Sequence, residues 1–108
     1  MTVLHSTFAA LGDATRFAIV ERLLNEGELS AGELQVDISI SAPAVSRHLK
    51  ILRASGLVHQ RVDQQRRMYS VRREAMHSIE TWTMSHREFW GRSLDRLELA
   101  LNQESVKK

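Results

Sequence analysis

The sequence predicts a mostly α-helical chain with one small β-hairpin, and three observations predict it. Apolar residues recur every three or four positions over most of the length. Helix-capping side chains and helix-ending glycines punctuate that period at short intervals. Only between residues 57 and 71 does the pattern change to alternation, in "LVHQRV" and "RMYSV" around "DQQR".

Each element has its own signal. Leu4, Phe8 and Leu11 share one face of a first helix, about 4–11, which Gly12 ends. Asp13 is then placed to cap a second helix carrying Phe17, Val20 and Leu24, and Gly27 stops it. Ser30 followed by Glu33 is a capping box, in which each side chain satisfies the other residue's free N–H, and it opens a third helix through about Asp37. Ser41 as N-cap, Pro43 in the first turn and Gly56 as stop delimit a fourth helix, roughly 42–55. Its wheel places Val45, Leu49 and Leu52 on a buried stripe and Pro43, Ser46, Arg47 and Lys50 opposite. Two short helices joined by a tight turn, the second capped and basic, followed by a basic hairpin over 57–71, make a winged helix-turn-helix.

The last third predicts one long helix, about 74–101. Ile79, Trp82, His86, Phe89, Leu94, Leu97 and Leu101 recur at helical spacing, with Trp90 beside Phe89. A chain of 108 residues cannot cover so long a stripe by itself. Together with Leu4 and Phe8, these residues are expected to pack against a second copy of the chain. Residues 1–101 then form a single domain whose dimerisation helices are about 4–11 and 74–101, and 102–108 are expected to be a flexible tail.

Charge narrows the function. The net charge is only +2, but Arg47, Lys50, Arg53, Arg61, Arg66, Arg67, Arg72 and Arg73 face the single acid Asp63 between residues 41 and 73. The flanking segments hold twelve acids and seven bases. Such asymmetry marks a surface for a polyanion, most often nucleic acid. A solvated helix face more often mixes its signs, whereas a winged helix that docks on protein would show an apolar patch where this one is basic. That protein-contact module is the alternative function.

Other classes have little to stand on. The absence of cysteine removes disulfides, thiolate nucleophiles and cysteine metal sites. No nucleophile–base set stands at motif spacing and no glycine loop is built to cradle a phosphate, so no enzyme and no cofactor is expected. No apolar run is long enough to cross a membrane, and "MTVLHSTFAALGDATR" lacks the basic start and apolar middle of a signal peptide, so a cytoplasmic location is expected.

"SAPAVSRHLKILRASGLV" and "LGDATRFAIVERL" resemble the ArsR/SmtB-type winged-helix transcriptional regulators, the first being similar to their recognition-helix signature. The resemblance spans roughly residues 7–101. Ala14 stands where proline is common in that family, and Gln64 where the wing turn commonly has glycine. The resemblance implies a homodimer that binds a near-palindromic double-stranded DNA operator and represses transcription until a signal releases it.

The recognition-helix geometry brings Ser41, Ala42, Ala44, Ser46 and Arg47 near base edges. Arg47 is the prime base reader, because a guanidinium grips guanine O6 and N7 with two hydrogen bonds worth about 1–3 kcal/mol of discrimination. Lys50, Arg61, Arg66 and Arg67 are expected to hold phosphates, and His48, at the edge of the buried stripe, to pack or touch a phosphate.

The family's metal sensors carry a Glu-Leu-Cys-Val-Cys-Asp box. Here that place holds "ELSAGE", residues 28–33, with Ser30 and Gly32 at the cysteine positions. The family's other site, Asp-x-His with a later His-x-x-Glu, is not reproduced by the spacing of His77 and His86. No metal site is therefore expected, although His5, His77 and His86 with Glu80 or Glu88 supply ligand types across a dimer. Trp82, Trp90 and the Leu-Asp-Arg-Leu after them resemble metal-free members. The two tryptophans read as interface core before they read as the lining of a pocket for a small-molecule effector.

Overall fold

In the computed structural model, which describes residues 4–106, the elements follow in the order α1 (Leu4–Leu11), α2 (Ala14–Glu26), β1 (Leu29–Ser30), α3 (Ala31–Gln35), α4 (Ala42–Ala54), β2 (Val58–Asp63), β3 (Arg66–Val71), α5 (Arg73–Ser85) and α6 (Arg87–Val106). The described chain falls into two compact units divided between Ser78 and Ile79.

The caps set the helix boundaries. The Asp13 carboxylate accepts the Arg16 backbone N–H at 3.0 Å, and its proton affinity is lowered chiefly by that bond. The Ser30 hydroxyl accepts the Glu33 N–H at 3.2 Å while Glu33 Oε1 accepts the Ser30 N–H at 3.0 Å, so the capping box is complete. Ser41 caps α4 by accepting the Ala44 N–H at 3.3 Å. At the other end, Gly56 adopts a left-handed φ of 81°. Its N–H reaches Arg53 O at 3.1 Å and the Leu57 N–H reaches Leu52 O at 3.1 Å. This crossed pair is a Schellman stop, and it drops Leu57 into the core.

Up to Ser78 the fold closes around one apolar core. Ile19, Leu34, Val45, Leu49, Leu52 and Leu57 are almost entirely buried, joined by Val20, Leu23, Val58, Tyr69 and Ala75. Each fully buried leucine or isoleucine contributes about 1.5–3 kcal/mol relative to exposure. The stripe foreseen for α4 is thus the one that packs. On α2 the buried arc is Ile19, Val20 and Leu23, while Phe17 and Leu24, foreseen on the inner face, stand at its edge and are about half exposed. On α1, Thr7 and Ala10 face inward, Leu11 packs partly against the core, and Phe8 remains exposed.

Three features depart from the sequence expectations. The hairpin β2–β3 gains a third strand: β1 pairs antiparallel with β3 through Leu29↔Tyr69 and Ser30↔Met68, giving the order β1-β3-β2. α3 ends at Gln35, short of Asp37. The helix expected as continuous over 74–101 is two helices that break at His86.

The break is marked by a change of partners at one carbonyl. In an unbroken helix Trp82 O would accept the His86 N–H. Instead the Ser85 hydroxyl donates to Trp82 O at 2.7 Å and His86 Nδ1 lies 2.9 Å from the same oxygen, so the His86 N–H turns to Thr83 O at 3.2 Å. The Trp90 N–H then reaches His86 O at 3.1 Å and the helical pattern resumes. α6 continues through Val106, so helix replaces most of the tail expected from residue 102, and residues 107 and 108 lie outside the described residues.

From Ile79 onward the second unit has a different character. None of its described side chains is buried in the single chain. Trp82, Phe89, Trp90, Leu94, Leu97 and Leu101 are all exposed, Leu94 by 64%. Trp82 and His86 stack obliquely with centroids 5.0 Å apart, Phe89 meets Trp90 edge-on at 5.2 Å, and Arg92 pairs with Glu88 one turn away.

Candidate nucleic-acid interface

The polar face of α4 follows directly from its buried one. With Val45, Leu49 and Leu52 turned inward, Ala42, Ser46, Arg47 and Lys50 are exposed and Ala44 is half-buried. The helix sequence, APAVSRHLKILRA, contains no acid. The side chains of Arg47 and Lys50 make no hydrogen bond or ion pair with any described residue, so their charge is available to a ligand. Ser41, foreseen among the base readers, is exposed but spends its hydroxyl on the Ala44 N–H.

His48 points another way. Its Nδ1 lies 3.9 Å from Asp13 Oδ2 and 3.4 Å from the Arg16 guanidinium, and the residue is half-buried. The ring therefore belongs to the seam between α4 and the start of α2. Arg16 also donates from Nε to Ala10 O at 2.7 Å, which ties α1 to the same corner. Farther along α2, one nitrogen of Arg22 donates to Glu33 O and Leu34 O, both at 3.1 Å, closing the carbonyl end of α3. Both helices of the helix-turn-helix are thus anchored to α2 by side chains as well as by the core.

The wing carries its charge differently. Gln64 takes the turn position in the left-handed region, φ 58°, where glycine would be strain-free. Arg67, opposite Val62 in the hairpin, is exposed and its side chain makes no hydrogen bond or ion pair with the described residues. Arg61 and Arg66 are both engaged. Arg61 donates from Nε to Glu28 Oε2 at 2.7 Å and from its terminal nitrogen to Glu28 Oε1 at 2.5 Å. Arg66 donates to Glu33 Oε1 at 2.8 Å, the same oxygen that completes the α3 capping box. The Glu28 carboxyl is held below the usual glutamate range chiefly by its hydrogen bonds from Arg61, which is itself pushed up by that contact. Glu33 is lowered too, first by the Ser30 N–H and further by Arg66.

The predicted residues therefore divide into two groups. The structure brings Ala42, Ser46, Arg47 and Lys50 onto one exposed face and leaves Arg67 free on the wing, whereas Arg61 and Arg66 are paired and His48 is packed. Sequence reasoning missed the acids that pair with the wing arginines. Both pairs span 33 residues, and no local pattern signals a contact at that separation. No group of three His, Asp or Glu able to hold a metal occurs among the described residues. No helix among them is long and apolar enough to cross a membrane.

Comparison with known proteins places this geometry. Residues 13–60, from the cap of α2 into β2, match the family model described as "Bacterial regulatory protein, arsR family". The chain is 44% identical over 85 residues to the HTH-type transcriptional regulator Rv2034 of Mycobacterium tuberculosis, covering 79% of this chain and 76% of that protein. It is 28% identical over 82 residues to the transcriptional repressor SdpR of Bacillus subtilis, covering 76% of this chain and 90% of that one. Among solved structures, an ArsR-like transcriptional regulator from Rhodococcus sp. RHA1 superposes with a TM-score of 0.70 at 29% identity, over 87% of this chain and 88% of its own. A crystal structure of another ArsR family transcriptional regulator reaches a TM-score of 0.74 at 27% identity, over 82% and 96%. Family model, relatives and fold agree with the winged helix-turn-helix described above: the chain belongs to the arsR family of bacterial regulatory proteins and is a DNA-binding transcriptional regulator, not an enzyme.

Proposed function

We propose that the chain acts in the cytoplasm as a homodimeric repressor that binds a near-palindromic operator, with α4 in the major groove and the β2–β3 wing against the flanking backbone. The observation that carries this reading is the acid-free face of α4, where Ser46, Arg47 and Lys50 are exposed and the two cations have no partner within the described chain. An α-helix fits the major groove, where base edges present a distinct pattern of donors and acceptors. Arg47 reads guanine there, while Ser41, Ala42, Ala44 and Ser46 lie at the end of the helix that approaches the bases. Lys50 and Arg67 hold phosphates.

The second copy is argued from exposed apolar surface. A monomeric protein seldom exposes an apolar patch beyond a few hundred Å², and here Trp82, Phe89, Trp90, Leu94, Leu97 and Leu101 all meet solvent in the single chain. Ile79 is half-buried, and His86 lies beside Trp82. Leu4 and Phe8 of α1 add apolar surface for the same purpose. Two copies related by a two-fold axis would present two α4 helices to two half-sites, which is why the operator is expected to be near-palindromic.

Fluorescence anisotropy across a salt series tests the reading, with the purified chain titrated into a duplex from upstream of its own coding sequence and into a scrambled one. Tight, salt-sensitive binding that prefers the native duplex is the expected result. Absence of binding to both duplexes would favour a winged helix used for protein contacts.

A further inference from the structure

The wing arginines raise a question that the recognition helix does not. A guanidinium presents a fork of donors that fits a carboxylate and a phosphate equally well. On Arg61 that fork is occupied, since Nε and one terminal nitrogen both face Glu28. Arg66 gives one terminal nitrogen to Glu33 Oε1, an oxygen itself fixed by the Ser30 N–H at the start of α3. Both acids belong to one short stretch beside the sheet: Glu28 immediately precedes β1, and Glu33 sits in the first turn of α3. Because β1 is paired to β3, the stretch that carries the acids is tied to the wing by the sheet itself.

Resting on the proposed DNA-bound arrangement, we infer that Glu28 and Glu33 are positioning residues that limit DNA affinity by keeping Arg61 and Arg66 off the phosphates. Arg67 and Lys50 then supply the phosphate contacts made from the wing and from α4. Binding to DNA of any sequence is set mainly by the number of phosphates neutralised, and each adds about 0.9 to the slope of log affinity against log salt. Two masked arginines therefore weaken attachment to DNA at large without touching the side chains that read bases. The arrangement also joins the wing to the helix-turn-helix, since Glu33 serves the α3 cap and Arg66 at once.

The test is anisotropy binding of the full-length chain to the scrambled and native duplexes over a salt series, with four proteins: wild type, Glu28→Gln, Arg61→Ala and the double variant. Glu28→Gln keeps the shape of the side chain and removes its charge. It is expected to bind both duplexes several-fold more tightly at low salt, with a slope steeper by about 0.9. Arg61→Ala alone is expected to leave the wild-type slope unchanged, and adding it to Glu28→Gln should cancel the steepening. Glu33→Gln gives an independent second case, because glutamine still completes a capping box and α3 stays closed.

A flatter slope for Arg61→Ala in the wild-type background would overturn the inference, because Arg61 would then reach a phosphate despite Glu28. Steepening by Glu28→Gln that persists without Arg61 would also overturn it, since the effect would be one of overall charge. Both outcomes leave the DNA reading standing. Wild-type protein that binds neither duplex would sink that reading and this inference with it.

Discussion

Two basic surfaces lie side by side in sequence and differ in how their charge is held. On α4, Arg47 and Lys50 project from a helix with no acid on it. On the wing, Arg61 and Arg66 are hydrogen-bonded to Glu28 and Glu33, and only Arg67 resembles the α4 cations in lacking a partner among the described residues. A count of basic residues is therefore not a count of contacts. Charge that is already paired ties one segment of the chain to another, and charge that is not paired remains for a ligand.

The largest expected effect acts on both surfaces at once. If two copies must pair to present two α4 helices, Trp90→Ala, which removes an exposed indole from α6, is expected to give monomers by analytical ultracentrifugation and to abolish operator binding. A variant that stays dimeric and binds normally would move the interface elsewhere.

The next effect is confined to α4. Arg47→Ala is expected to lose about 1–3 kcal/mol on the native duplex, roughly five- to 150-fold, and to leave random DNA nearly unaffected. Equal losses on both duplexes would reassign Arg47 to a phosphate. On the wing, Arg67→Ala should weaken both duplexes alike and flatten the salt slope by about 0.9, and an unchanged slope would remove the wing from the interface.

The smallest effect is on stability and comes from the paired acids. Glu28 and Glu33 titrate below the usual glutamate range in the folded chain, so there the folded state binds fewer protons than the unfolded one. Their contribution is complete above an unfolded glutamate's pKa of about 4.3 and is lost as pH falls through the lower folded values. Thermal melts of Glu28→Gln plus Glu33→Gln between pH 6 and 3 should therefore fall less steeply than wild type on the acid side. Parallel curves would show that the pairs add nothing to the fold.

Much of this was legible in the sequence because its causes are local. Asp13, Ser30 with Glu33, and Ser41 announce helix starts through side chains that reach only three residues on. Gly27 and Gly56 announce stops because they hold left-handed backbone, φ 84° and 81°. The α4 stripe was readable for the same reason, and with it the exposed face that carries Arg47.

What was hidden depends on distance or on a change of partners. The strand β1 is two residues long and exists only because Tyr69 and Met68 lie beside it. The pairs of Arg61 and Arg66 cross 33 residues. The break at His86 has no proline or glycine to mark it, and the apolar period runs straight through; it shows only where Trp82 O meets the Ser85 hydroxyl and the His86 ring in place of the His86 N–H.

Guanine-methylation interference on the native duplex is the most direct test of α4 as the reader of the operator. Guanine N7 is exposed only in the major groove, so a methyl group there blocks an arginine that grips O6 and N7. The account predicts interference at symmetry-related guanines in two half-sites for wild type, and its disappearance at those guanines for Arg47→Ala. No interference at guanines in either half-site, or an identical pattern for the variant, would contradict it.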